Sequence, residues 1–171
     1  MTTQTIIGIM GPGNHVPDSE LQLAHNLGRA IAQQGWTLLT GGRPTGVMEA
    51  ASLGAASVGG IVLGILPDAQ GTQVASGVTL PIVTGMGNAR NAINVLSSHG
   101  IIACGLGLGT VSEIALALKV QKPLVIMPYN RLAKDFFEFL APGQFQVTNN
   151  INFCIEYLSL ALHQTGSDNC L

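Results

Sequence analysis

Three glycines at every second position, Gly105, Gly107 and Gly109, lead into Thr110 and, three residues on, Glu113. Glycine allows a sharp turn and leaves backbone N–H groups without a Cβ beside them. Where such a turn opens a helix, the unpaired first donors and the positive end of the helix dipole suit an anion such as phosphate. Arg43 and Arg90, two of only seven basic residues in the chain, also lie in glycine-rich stretches. Arginine beside an anion-binding turn grips a phosphate through two parallel hydrogen bonds, which lysine cannot do. The alternation is not GxGxxG, and no Gly-Lys-Ser/Thr follows as a P-loop would require. The spacing specifies an anion site and leaves the ligand open.

Each of these residues also has a structural use. Thr110-x-x-Glu113 fits a capping box, in which Thr110 accepts from the third helical N–H and Glu113 reaches back. The same Glu113 at the mouth of a cleft can act as a general acid or base, or hold a ribose or pterin group. Arg43 and Arg90 either contact the ligand or pair with a carboxylate such as Glu49 or Glu113. Asn14 and Asn91 either read polar groups of a ligand or make turn and cap bonds. His15 lies in the first glycine loop and is a further candidate contact. His25, His99 and His163 read as helix or helix-end residues, and no pair has metal-ligand spacing, so no protein-ligated metal is expected. Cys104, at a strand end, reads as a small buried hydrophobe, and Met48, Met86 and Met127 read as packing residues.

Short apolar runs at 5–10, 36–40, 61–66, 79–83, 101–104 and 123–127 predict six strands, the first and the fifth of them buried. A helix capped by Asp18 or Ser19, with Leu21, Ala24, Leu27 and Ile31 on one face, follows the first and stops at Gly35. Further helices are expected over 47–57, from Asn91 to about 98, from Thr110, near 134–140, and over 151–163. The stretch 68–77 reads as a polar loop, and 164–171 as a frayed tail. Strands separated by helical segments imply a parallel sheet with right-handed crossovers, an α/β, Rossmann-like, doubly wound fold with helices on both faces. Residues 1–171 read as one domain. The glycine-rich clusters follow strands one, two, four and five, the edge where open α/β sheets bind ligands.

Charged residues are only 9% of the chain against 47% apolar, well below the roughly 25% charged typical of soluble domains. A surface so poor in charge predicts a face buried against another copy in a symmetric homo-oligomer, a dimer first of all; the alternative is a monomer surfaced with Ser, Thr, Gln and Asn. A net charge of −2 argues against a nucleic-acid surface. No apolar run reaches the roughly 18 residues that span a bilayer, and the N-terminal MTTQTIIGIM has no secretory signature. The three cysteines are widely spaced, so a cytoplasmic chain with reduced thiols is expected.

Three motifs, TGGRPTGVMEAA (40–51), GMGNARN (85–91) and GLGLGTVSE (105–113), resemble those of the Lonely Guy and lysine decarboxylase-like superfamily. Its enzymes cleave the N-glycosidic bond of cytokinin riboside monophosphates and carry PGGxGTxxE. That motif falls on Gly105 to Glu113, with Gly105 and Leu106 in place of its Pro and first Gly. By this resemblance Glu113 is the catalytic carboxylate of an enzyme and Arg90 the arginine beside the substrate; Asn91 stands where the enzymes usually carry a basic residue. The chain is more similar to the short branch that includes the molybdenum cofactor carriers of algae and cyanobacteria. That likeness implies dimers or tetramers that bind molybdenum cofactor, a phosphorylated pterin, without turnover and pass it to a molybdoenzyme. The phosphate would lie on Gly105, Gly107, Gly109 and Thr110, assisted by Arg90 and Arg43. The loops carrying Gly11, Gly13 and Asn14, then Gly41, Gly42 and Gly46, then Met86, Gly87 and Asn91, would approach the pterin. The alternatives are a nucleoside 5'-monophosphate phosphoribohydrolase and a non-catalytic nucleotide-binding module.

Overall fold

The computed structural model describes residues 4–167. In chain order these form β1 (Ile6–Met10), α1 (Asp18–Gln33), β2 (Thr37–Thr40), α2 (Gly46–Ala56), β3 (Val62–Leu66) and β4 (Leu80–Val83). A 3-10 turn (Gly87–Ala89) then precedes α3 (Arg90–Ser97), β5 (Gly100–Cys104), α4 (Leu108–Lys119), β6 (Leu124–Met127), α5 (Arg131–Leu140), β7 (Gln146–Val147) and α6 (Ile151–Ser167). All seven strands are parallel, in the order β4-β3-β2-β1-β5-β6-β7. This is the expected α/β, Rossmann-like sheet.

Alternate residues of each central strand enter opposite cores. Ile7, Ile9, Leu38, Ile102 and Val125 pack on one face against α1, α2 and α6, through Leu27, Ala51 and Leu158 among others. Leu39, Ile101, Ala103, Leu124 and Ile126 pack on the other against Val95 of α3, Ile114 of α4 and Phe137 of α5. Burial of both faces is why these strands read as continuous apolar runs.

The tightest helix contact is between α1 and α2. A Cβ on Gly28 would stand 2.0 Å from the Ala51 carbonyl oxygen, and one on Gly54 would stand 1.9 Å from that of His25. Each helix thus offers a glycine to the other's backbone, and α2 lies close enough to fix the loop that precedes it.

Three local expectations are corrected. Pro17, not Asp18 or Ser19, is the N-cap of α1, with no side-chain cap; Asp18 and Glu20 fall inside the first turn, where their charge meets the helix dipole. The two-residue β7 is too short to show alternation and was not anticipated. Helix α6 continues to Ser167, past the expected end at 163; the rest of the expected tail, with Cys170, lies outside the described residues. No helix among the described residues is long and apolar enough to cross a membrane.

Candidate functional site

Strand β1 lies between β2 and β5, so its C-terminal end marks the point where chain order reverses across the sheet. There the turn after β1, the loop after β2, the start of α3 and the start of α4 enclose a cleft of about 550 Å³. That size suits a small molecule, whose sites hold roughly 300–1,000 Å³.

The α4 side is built by the glycine alternation. Gly105 is left-handed (φ +76°), with the Glu20 carboxylate 2.3 Å from where its Cβ would be. Gly107 is extended (φ −150°) and is the N-cap, so α4 begins at Leu108 and not at Thr110. This removes the capping box. No side chain caps α4, and Thr110 stands at the third helical position with its buried Oγ1 lacking a hydrogen-bond partner. The helical ladder starts with Val111 N–H donating to Gly107 O at 2.8 Å. The amides of Leu108, Gly109 and Thr110 therefore precede it, at an open, positively polarised helix end.

Glu113 lies one turn deeper and is buried. Its Oε1 accepts from Asn94 Nδ2 at 2.8 Å. Burial pushes its carboxyl up to about 7, against the opposing influence of the Asn94 bond and the Arg90 charge.

Arg90 opens α3, is only 9% exposed, and donates from Nη1 to the carbonyls of Gly41 and Ile65. Gly41 makes room for it, since a Cβ there would lie 2.5 Å from Nη1. The expected alternative, an ion pair with Glu49 or Glu113, does not form. The one ion pair among the described residues is Arg131–Asp135, and Glu49 accepts from the Ser76 N–H. Burial lowers the Arg90 pKa, Glu113 offsets part of that, and Arg43 lowers it further. Arg43 is exposed at the rim. Two cations that oppose each other's charge line a cleft with one carboxylate, an arrangement an anion relieves.

Of the sequence-predicted residues, Gly11, Gly13, Asn14, Gly41, Arg43, Arg90, Asn91, Gly107, Gly109, Thr110 and Glu113 line this cleft, with His15. Gly42, Gly46, Met86, Gly87 and Gly105 are not part of its lining. Gly42 and Gly46 shape the loop, packing against Gly64 and Pro12; Met86 and Gly87 are exposed where the 3-10 turn begins. Asn91 donates to Ser112 Oγ at 2.8 Å, tying α3 to α4. Asn88, Asn94 and Met48 line the cleft without having been singled out as contacts. Asn94 was legible in principle, since it stands four residues after Arg90 and shares its helix face.

The profile of the SLOG cluster4 family matches residues 4–153. The chain belongs to that family. Among proteins similar to this SLOG cluster4 member is an uncharacterized protein of Archaeoglobus fulgidus, 37% identical over 149 residues, 87% of this chain and 93% of the relative. Among solved structures, the molybdenum cofactor binding protein of Rippkaea orientalis is 47% identical, with a TM-score of 0.92 over 95% of this chain and 99% of its own. The Moco carrier protein of Chlamydomonas reinhardtii is 42% identical, with a TM-score of 0.88 over 95% and 99%. The kinship carried by the three glycine motifs thus extends over nearly the whole chain.

Proposed function

We propose that this chain binds molybdenum cofactor as cargo, holds it without turnover and passes it to a molybdoenzyme. The observation that carries the anion site is the uncapped start of α4 opening onto the same cleft as Arg43 and Arg90. The phosphate would accept from the amides of Leu108, Gly109 and Thr110, with Arg43 reaching in from the rim and Arg90 supplying fixed charge beneath. The likeness to the Rippkaea and Chlamydomonas proteins supports a phosphorylated pterin as the molecule bearing that phosphate. The residues present fit such a ligand: buried, unpartnered polar atoms on Thr110 and Asn94 await hydrogen bonds. In this proposal the molybdenum arrives already held by the cofactor's own dithiolene. Assembly as a homo-oligomer and a cytoplasmic location belong to the same proposal.

One observation favours a second reading. A carboxyl held near 7 suits general acid–base work at neutral pH, as a nucleoside monophosphate phosphoribohydrolase would require of Glu113. A paired assay separates the two. The purified protein is incubated with AMP or an N6-substituted AMP, and free base is measured; separately, the survival of added molybdenum cofactor is followed with and without protein. The carrier is expected to release no base and to protect the cofactor saturably. Base release abolished by Glu113→Gln would establish the enzyme instead.

A further inference from the structure

Between α3 and α4, on the floor of the cleft, three side chains leave hydrogen-bonding atoms unused. Asn94 and Thr110 are 1% and 2% exposed, and neither Asn94 Oδ1 nor Thr110 Oγ1 has a partner. Buried polar atoms are rarely left so, because each unsatisfied group costs about 1–3 kcal/mol. Glu113 uses Oε1 to accept from Asn94, its one side-chain hydrogen bond. This bond also fixes the Asn94 amide. Its NH2 faces Glu113 Oε1, so the atom left over is an acceptor, Oδ1. The inventory is therefore two acceptors, Asn94 Oδ1 and the second Glu113 oxygen, beside a hydroxyl that takes either role. The anion-binding amides of α4 are a separate, donor-only surface at the other end of Thr110.

We infer that Asn94, Thr110 and Glu113 read the hydrogen-bond-donor edge of the ligand's heterocycle, selecting a ring that carries an amino group beside a ring N–H. A 2-aminopyrimidin-4-one edge offers adjacent N–H donors of this kind, one for the free Glu113 oxygen and one for Asn94 Oδ1. A ring with a carbonyl in place of the amino group would set a lone pair against these acceptors, and the site would reject it. This assignment rests on the proposed binding of a phosphorylated pterin and names the feature of the pterin that the site selects.

Calorimetric titration of the full-length protein tests it with two pairs of probes. The first is a 2-amino-4-oxopteridine monophosphate and its 2,4-dioxo analogue; the second is GMP and IMP, which differ only by the 2-amino group. The wild-type protein is expected to prefer the amino-bearing member of the pteridine pair by about tenfold or more. Thr110→Val, which keeps the side-chain shape and the backbone N–H, is expected to reduce that ratio severalfold. Glu113→Gln, which still accepts from Asn94 but offers NH2 in place of the second oxygen, is expected to abolish or invert it. A wild-type ratio near one, or a ratio unchanged in both variants, overturns the inference. If the wild type binds neither pteridine yet prefers GMP over IMP, and loses that preference in both variants, the acceptor cluster stands and the pterin reading fails.

Discussion

Burial holds the Glu113 carboxyl at about 7 against an ordinary 4.5, which couples its proton to folding. Between those values the native chain binds a proton that the unfolded chain has released, so this group's contribution to stability falls as pH rises from 4.5 through 7. The shift corresponds to a change on the order of 3 kcal/mol. Glu113→Gln removes the dependence and still accepts from Asn94. Urea denaturation in phosphate-free buffer should find the variant more stable than wild type at pH 8, with the gap closing toward pH 5. A gap that does not change with pH would mean that Glu113 is ionised in the fold at all these values. The two arginines should separate in the same assay. Arg90→Ala orphans the Gly41 and Ile65 carbonyls and should lower stability by about 2–4 kcal/mol; exposed Arg43→Ala should stay within about 0.5 kcal/mol. Both should weaken inorganic phosphate binding, and unchanged affinity in both would remove the anion site. The sequence made these residues visible because arginine and glutamate are scarce in this chain. It did not reveal that Arg90 grips carbonyls, because the partners are backbone atoms of the loop after β2 and of β3, 49 and 25 residues away.

Element boundaries set by side-chain patterns were legible, and those set by backbone geometry were not. The alternating cores follow from apolar runs, whereas α4 begins two residues before the Thr-x-x-Glu signature because Gly107 itself takes the extended N-cap conformation. The α1–α2 seam was equally hidden, as Gly28 and Gly54 break no pattern. Their role appears only where each meets the facing backbone, at 2.0 and 1.9 Å from a would-be Cβ. Gly28→Ala and Gly54→Ala each gain up to about 1 kcal/mol of helix propensity. Overpacking of a rigid contact outweighs that gain, and each variant should lose about 1–3 kcal/mol in urea denaturation. Once one substitution has pushed the helices apart, the second meets a wider gap, so the double variant should lose less than the sum. Additive losses, or net stabilisation by either alanine, would show that the seam yields freely.

At the scale of the whole molecule, the scarcity of charge acquires a location. Helix α5 buries Ala133 and Phe137 at one edge of its core, yet Leu132, Phe136, Phe139 and Leu140 point outward, with Leu132 and Phe139 83% and 84% exposed. That stripe recurs every three to four residues, as on a helix that packs on both sides. The charges on α5 run from basic to acidic, Arg131 and Lys134 before Asp135 and Glu138. Two copies related by a two-fold axis, with their α5 helices antiparallel, would set the basic half of each against the acidic half of the other while covering both stripes. Sedimentation velocity should find the wild type at no less than twice the monomer mass. Leu132→Glu with Phe139→Glu touches no core contact, and should weaken assembly by about a hundredfold or more while leaving circular dichroism unchanged. A monomeric wild type would refute the assembly that the composition predicts. A double variant that assembles as tightly as wild type would move the contact away from α5, toward the sheet edge at β4, where Leu80, Ile82 and Val83 are each about half exposed.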